Sequence, residues 1–592
     1  MLISIVIPTY NRSGSLKKNL PVLRECLGES ADVEVFVVDD CSHDGHKPAN
    51  TTLCEKLGFH YRWLAQNRGP AHARNVGISH ATGEWVAFLD DDVRVDTQWL
   101  LCLRNALSQA PHETLGIEGA VKSLGSGLWD TEVENLAGGL YLSCNCVYRR
   151  KTLVQTGGFD EEFCGPFAED HELACRIKKR GDIVFEKKLV VFHRRRNIRL
   201  VEYCRNSLRR MRMMLDAELY FYLKHRDRYH TFRYAPTFWH GLVLILFKHA
   251  ISTIRRRTIG QLLLNPVQAA ALLVSSILEQ VSAWLLAPRY LAAAYGRKAL
   301  YAEQQTDWEK TSALWGFTER VVPSVLRFDP DIIGSILFRL QKKPVYDARA
   351  VFKKTVSGTR AAHARIFIRI DDLFLRDQAL VERFCDLLKG NAIPFLAAIT
   401  GNDLLRDENL PAIRTVIRCG GAIGVHGFSH SGRFGPYQSE ILQLSFPQLD
   451  RLNGPVLDAC TQGNVTPVAF VPPFNAVSWD QICHLGTTYP VICGGPETMR
   501  FTGRLFGPVV LNSGSLFFPS CQPFYGSAAS LVTPAMYKAV MGARAPVCCT
   551  FHFHQEAEDG FSSLLQCFQL YGGAIHGWQT IRPKDTIAAK DG

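Results

Sequence analysis

Short apolar runs punctuate the first two hundred positions, and each gives way to polar or acidic residues. Residues 2–8 (LISIVIP) and 33–40 (VEVFVVDD) are runs of strand length, residues 15–26 between them have helical spacing, and residues 84–92 (EWVAFLDDD) end in three acids. Continuous apolar strands alternating with helices predict a parallel sheet covered on both faces. Ligands of such sheets sit beyond the carboxyl ends of the strands, so the polar run ends are where chemistry is expected. The opening run has no basic stretch before it and meets Pro8 at once, which predicts a strand rather than a signal peptide.

The texture changes at about residue 201, where Leu, Ala and Arg with helical periodicity take over. Residues 194–212 carry eight arginines and one acid, Glu202, and Arg255, Arg256 and Arg257 follow an apolar stretch from Trp239 to Phe247. Two readings stay open: solvated helix faces, or apolar helical faces in a bilayer interface with arginines on lipid phosphates. The company of Trp, Tyr and Arg around an apolar run favours the second. The best candidate span, 261–288, is interrupted by Asn265, Pro266, Gln268, Glu279 and Gln280, so attachment to a membrane surface is expected rather than a clean crossing. From about residue 346 strand-like runs return: RIFIRIDD (365–372), PFLAAIT (394–400), GAIGVHG (421–427), PVAFVPP (467–473) and VCCTFHFH (547–554). Many end in Asp, His or Pro with helical stretches between, which predicts a barrel-like α/β domain. The expected division is 1–205, 206–345 and 346–592.

Composition narrows the classes. A chain of 592 residues suggests three to four domains at roughly 150 residues each. Its 47% hydrophobic and 21% charged residues exclude a disordered or low-complexity chain. The net charge of +11 is modest, and no nucleic-acid motif accompanies the basic run, so no nucleic-acid partner is expected. Eighteen cysteines without a C-x-x-C pair argue against a disulfide scaffold or a structural zinc site and favour a reducing, cytoplasmic setting.

The first candidate chemistry is Asp90-Asp91-Asp92. Three carboxylates at a strand end repel one another unless a divalent cation neutralises them, and hard oxygen ligands suit Mg²⁺ or Mn²⁺. Pro8-Thr9-Tyr10-Asn11-Arg12, Asp39-Asp40, Asn67-Arg68-Gly69, Ala73-Arg74-Asn75, Gly157-Gly158-Phe159-Asp160-Glu161 and Glu169-Asp170-His171-Glu172-Leu173 surround it in order. Over about residues 1–200 this series resembles the inverting family 2 glycosyltransferases of GT-A (Rossmann-like) fold. The resemblance implies that Thr9, Asp39 and Asp40 contact the nucleoside of a UDP-sugar. It places Arg74, Asp91 and Glu169 at the nucleotide-sugar, and Asp90 and Asp92 at the metal, with Asp92 the preferred direct ligand. Asp170 matches the catalytic base, and His193 lies where some relatives place a further metal contact. A second carboxylate beside Asp170 would raise its pKa toward that task.

The second candidate is His426-Gly427-Phe428-Ser429-His430, two imidazoles that one helical turn or a tight loop can aim at one cation. Asp371-Asp372 end an apolar strand earlier in the chain, and two His with one carboxylate form a recognised hydrolytic ligand set with open positions. His552 and His554 share one face of a late strand by the period of two. Together these look like the NodB-type polysaccharide deacetylases over about residues 360–560. The resemblance implies Asp371 as base, Asp372, His426 and His430 as ligands of Zn²⁺ or another divalent metal, and His554 or His552 as general acid. The chain departs from that pattern at Leu373, Gly427 and Val471. Val471 stands where an arginine is expected, so the base must be oriented from elsewhere, with Arg369 the candidate.

The joint expectation is a bifunctional cell-envelope glycan enzyme. It would transfer a sugar, N-acetylhexosamine being the first choice, from a UDP-sugar to a lipid-linked or polysaccharide acceptor, and remove an acetyl group. It would work peripherally at the cytoplasmic membrane face. The alternative is a glycosyltransferase whose C-terminal domain only binds glycan.

Overall fold

The computed structural model describes residues 2–124, 133–163, 165–194, 200–225, scattered positions between 274 and 310, and 365–581 apart from 376, 389–392, 431–438, 443, 496–497, 499–507, 521–523 and 542–545. The described residues fall into two compact units, one holding those up to Tyr222 and one those from Arg365 onward. Most of the basic and apolar middle region, including nearly all of 235–290, lies outside the described residues. Among the described residues no helix is long and apolar enough to cross a membrane.

The N-terminal unit opens with β1 (Ile3–Thr9), α1 (Ser13–Leu27), β2 (Val33–Asp39), α2 (Lys47–Leu57), β3 (His60–Trp63), α3 (Pro70–His80) and β4 (Trp85–Phe88). In α1, Leu16, Leu20, Leu23 and Leu27 form one buried stripe at helical spacing. β5 (Val93–Val95), α4 (Trp99–Gln109), β6 (Thr114–Leu124), β7 (Cys146–Arg149), α5 (Arg150–Thr156), α6 (Glu169–Lys178), β8 (Asp182–Arg194) and α7 (Leu200–Lys224) follow. The sheet runs β3-β2-β1-β4-β7-β6-β8-β5. Four neighbours are parallel as expected, but β7 lies antiparallel to β4 and β6, and β5 antiparallel to β8. The sheet is therefore mixed. The third apolar run also leaves the sheet at Phe88, so its acids stand on a loop rather than on the strand itself.

The C-terminal unit contains β9 (Ile366–Asp371), α8 (Gln378–Leu388), β10 (Phe395–Ile399), α9 (Leu410–Arg418), β11 (Gly421–His426), α10 (Phe446–Gln462), β12 (Ala469–Val471), α11 (Trp479–Leu485) and β13 (Val491–Gly494). It continues with β14 (Val509–Val510), β15 (Leu516–Pro519), β16 (Tyr525–Gly526), β17 (Val547–His552) and α12 (Phe553–Ala557). The strand order is β14-β15-β13-β12-β11-β10-β9-β17-β16, parallel except for β14. Among the described residues the edge strands β14 and β16 do not pair with each other, so the sheet does not close as a full barrel would. Parallel strands put all their carboxyl ends on one edge. His552 stands level with Asp371, and His426 with Val471.

Candidate active sites

In the N-terminal unit β1 and β2 end in register, Thr9 beside Asp39, and the loop after β4 folds over them. Asp91, the middle acid of the triplet, turns inward and is only 4% exposed. It accepts hydrogen bonds from Thr9 Oγ1 (2.8 Å) and Arg12 Nη1 (2.9 Å). Burial lifts its carboxyl to about 6 against the pull of Arg12. Asp91 thus ties the loop to the end of β1 through Thr9 and Arg12.

The outer acids are more accessible. Arg12 Nη1 reaches Asp92 Oδ2 at 2.8 Å, Arg74 Nη2 reaches Asp90 Oδ1 at 2.9 Å, and His193 Nε2 lies 3.4 Å from Asp92 Oδ1. His193 Nδ1 is buried without a hydrogen-bond partner. Two carboxylates and an imidazole are a donor set that Mn²⁺ or Mg²⁺ accepts. Among the described residues these atoms are not gathered within 4.8 Å of one another as a ligand cluster; Arg12 and Arg74 hold the two carboxylates.

Asp39 has no exposed surface, and its oxygens accept from Ser42 N (2.7 Å), Asn50 Nδ2 (2.9 Å) and the Tyr61 hydroxyl (2.6 Å). These bonds fix the Asp39 carboxylate at the carboxyl end of β2. Asp40 accepts from the backbone N–H groups of Arg68 (3.0 Å) and Gly69 (2.7 Å), which ties the Asn67–Gly69 turn to the end of β2.

Ala168, with φ 65°, turns the chain into α6 and sets Glu169 and Asp170 at that helix's N-terminus. Asp170 accepts from the N–H groups of His171 (2.7 Å) and Ser143 (3.3 Å). Glu169 pairs with Arg74 Nη1 at 3.0 Å. Burial raises both carboxyls, and the charge of Asp170 raises Glu169 further. Arg74, 3% exposed, spends its two terminal nitrogens bridging Asp90 to Glu169, and so links the acidic loop to the acidic helix end. Asn75 clamps the loop before α6, donating to Phe159 O (2.8 Å) and accepting from Phe159 N (2.7 Å). Gly158, with φ 68°, lies so close to Asn75 Oδ1 that a Cβ would collide with it. The glycine pair therefore serves this clamp.

In the C-terminal unit Asp372, His426 and His430 offer three ligand atoms within 4.8 Å of one another, from three places in the chain. Both Nε2 atoms lie 3.2 Å from Asp372 Oδ1. His426 Nδ1 lies 3.1 Å from the Val471 carbonyl, the bond that presents Nε2 to the centre. The H-x-x-x-H segment is a strand end and a tight loop, not a helical turn: Gly427 and His430 both have left-handed backbone, φ 56° and 54°. Asp372, Phe474 and Asn475 share that conformation, with φ 59°, 55° and 52°. Such strain in non-glycine residues gathers at functional sites. Burial opposes the charge on Asp372, yet the hydrogen bond from His426 and the imidazole charges pull its carboxyl down to about 2. Burial likewise opposes protonation of His426, but Asp372 outweighs it and raises that pKa.

Asp371 is held by Arg369, a fully buried guanidinium whose Nη2 donates to Asp371 Oδ2 (2.7 Å) and Asn475 Oδ1 (2.9 Å) and whose Nη1 donates to Gly494 O (2.8 Å). Asp371 Oδ1 is buried without a hydrogen-bond partner. His552 ends β17 beside Asp371, 3.2 Å from the Tyr525 hydroxyl. His554 does not share its face. The strand stops at His552, α12 begins, and His554 is exposed and stacked on Phe374. Of the two expected late histidines, His552 is the one that stands level with Asp371. Arg12, Asn475, Tyr525 and Glu440 were not among the expected site residues. Arg12, inside the first polar run, and Asn475, at the end of the proline-bearing run 470–475, carried a signal in the sequence.

Two family models match the N-terminal part: Glycosyl transferase family 2 over residues 4–136 and Glycosyltransferase like family 2 over residues 133–233. The chain is 36% identical over 95 residues to an uncharacterized glycosyltransferase of Haemophilus influenzae (15% of this chain, 29% of that one). It is 35% identical over 125 residues to the succinoglycan biosynthesis protein ExoO of Rhizobium meliloti (21% and 33%). It is 34% identical over 101 residues to the poly(ribitol-phosphate) beta-N-acetylglucosaminyltransferase TarS of Staphylococcus aureus (17% and 18%). The chain spans about a third or less of the length of these relatives. Residues 4–233 are accordingly the part of the chain that is similar to family 2 glycosyltransferases.

Proposed function

We propose that the N-terminal unit is a GT-A glycosyltransferase that transfers a sugar from a UDP-sugar to a glycan or lipid-linked hydroxyl with inversion, and that the C-terminal unit is a metal-dependent N-deacetylase of the same glycan. The observation that carries the first half is the pair of family matches over residues 4–233. TarS is named for an N-acetylglucosaminyl transfer, which makes UDP-N-acetylhexosamine the first donor to try. The convergence of Asp372, His426 and His430 carries the second.

In the transferase site Asp90, Asp92 and His193 would hold Mn²⁺ or Mg²⁺. Such a cation would neutralise the departing diphosphate. Asp170, with its pKa raised by burial, takes the proton of the acceptor hydroxyl. Arg74 keeps Glu169 and the acidic loop in register with it. In the second site Asp372, His426 and His430 would hold Zn²⁺ or another divalent cation. That cation would polarise the acetamide carbonyl and the attacking water. Asp371, fixed by Arg369 and with one oxygen unpartnered, accepts the water's proton, and His552 delivers a proton to the leaving amine. The work site we infer is the cytoplasmic membrane face, with the exposed Arg209 and Arg212 of α7 toward lipid phosphate.

The test is the purified chain with UDP-N-acetylglucosamine, Mn²⁺ and candidate acceptors, with UDP and acetate followed separately. UDP release lost in Asp92→Asn and Asp170→Asn supports the transferase roles, and full transfer by both overturns them. Acetate release lost in His426→Ala supports deacetylation. Transfer with neither acetate release nor bound metal would turn the second unit into a glycan-binding module.

A further inference from the structure

The loop that carries His430 has no side chain of its own to tie it down directly after His426, where the chain has Gly427. A Cβ at that position would collide with Glu440 and with Pro473, so the loop packs against both at backbone distance. Glu440 fills the space. Its Oε1 accepts from three successive backbone donors, Phe428 N (2.5 Å), Ser429 N (3.1 Å) and His430 N (3.3 Å). Its Oε2 accepts from Ser429 N (3.0 Å) and from the Ser429 hydroxyl. Three adjacent N–H groups pointing at one side form an anion-receptive concavity, and here a carboxylate of the same chain occupies it.

This arrangement has a consequence for the metal ligands. His430 sits at φ 54°, a conformation that costs a non-glycine residue energy and persists only when its surroundings enforce it. Enforcing it brings His430 Nε2 to 3.2 Å from Asp372 Oδ1, the same oxygen that His426 approaches. His426 is fixed independently, by its strand and by the Val471 carbonyl. His430 lies on no strand: its ring packs against Phe474 and Phe374, and its backbone is set by the loop.

We infer that Glu440 is the positioning residue of the C-terminal centre: by binding the three loop amides it holds His430 in the left-handed conformation that completes the Asp372–His426–His430 set. This inference rests on the reading of that set as a divalent metal site. Glu440 is outside the set of three candidate ligands. It acts on affinity by fixing a ligand, and loss of such supporting partners lowers metal affinity about 10–100-fold.

The test is Zn²⁺ titration of the full chain, by competition with a chromophoric chelator, in wild type, His430→Ala, Glu440→Ala and Glu440→Gln. Absorption spectra of the Co²⁺-loaded proteins are recorded alongside. Glutamine keeps one acceptor oxygen for the three amides and gives up the charge and the second acceptor, which serves Ser429. The expected result is a loss of about 10–100-fold in Zn²⁺ affinity for Glu440→Ala with a changed Co²⁺ spectrum, and affinity within about threefold of wild type for Glu440→Gln. Metal binding in wild type that is lost in His430→Ala but unchanged in both Glu440 variants overturns the role of Glu440 and leaves the metal centre standing. A wild-type chain that binds neither ion overturns the centre and the role together. Should Glu440→Ala fail to fold, Glu440→Asp, with a carboxylate too short to span the loop, takes its place. It is expected to lose affinity and shift the Co²⁺ spectrum, and wild-type binding in that variant overturns the proposal.

Discussion

Replacing Arg369 with methionine isolates the buried Arg369–Asp371 ion pair of the C-terminal centre. The guanidinium is fully buried and its partner Asp371 is 3% exposed, so neither charge has water to fall back on. The substitution keeps most of the side-chain volume but removes the donor to Asp371 Oδ2 and the guanidinium bonds to Asn475 Oδ1 and Gly494 O, the latter still accepting from Ser520 N. Asp371 Oδ1 already lacks a partner, so both oxygens of that carboxylate would then be unpaired. Breaking a buried pair from one side costs about 3–5 kcal/mol. At about 2–4 °C per kcal/mol for a unit of this size, the corresponding fall in melting temperature is on the order of 6–20 °C. The double variant Arg369→Met/Asp371→Asn removes the stranded charge and should recover a large part of the loss, because the penalty lies in the uncompensated carboxylate rather than in the lost contact. The assay is hydrogen exchange of peptides covering Ile366–Asp371 in the full chain, with calorimetry alongside, which separates this unit from the other. A single variant that costs less than about 1 kcal/mol, or a double variant whose loss is the sum of the two singles, would refute the reasoning.

Asp170→Asn should cut transfer by about 10²–10⁴-fold with little change in donor KM, read from UDP release. Because burial raises the Asp170 carboxyl and transfer needs it ionised, activity should fall as pH drops through a limb above the ordinary carboxylate value of about 3.9; a limb at or below that value in the kcat/KM profile would contradict the burial argument. His552→Ala should lower acetate release by about 10²–10⁴-fold, whereas His554→Ala, at an exposed ring, should leave it within a few-fold. Gly158→Ala, which puts a Cβ against Asn75 at φ 68°, should destabilise the N-terminal unit by about 1–3 kcal/mol, measured by chemical denaturation.

Much of this was legible in the chain. The continuous apolar runs marked β1, β2, β4, β9, β11 and β17, and parallel packing then had to place their polar ends together. Arg369 is the candidate partner of the base because Val471 stands where the resemblance expects an arginine; it sits two residues from Asp371 on one strand, which puts the two on one face. Other features were beyond the pattern. Asp39 and Asp91 belong to runs of like residues, and only the surrounding donors decide which acid turns inward. His554 was placed by extending a strand period past the residue at which the strand ends. Glu440 has no spacing relation to a ligand, because its contact with the His430 loop is made by the fold rather than by an element.

The central claim is that one chain holds two chemically distinct centres that act on the same glycan. Product mass analysis after incubation with UDP-N-acetylglucosamine, acceptor and metal tests it in wild type, Asp170→Asn and Asp372→Asn. The account predicts a deacetylated transfer product from wild type, no transfer product from Asp170→Asn, and a product that keeps its acetyl group from Asp372→Asn. Identical products from wild type and Asp372→Asn, or undiminished transfer by Asp170→Asn, would contradict it.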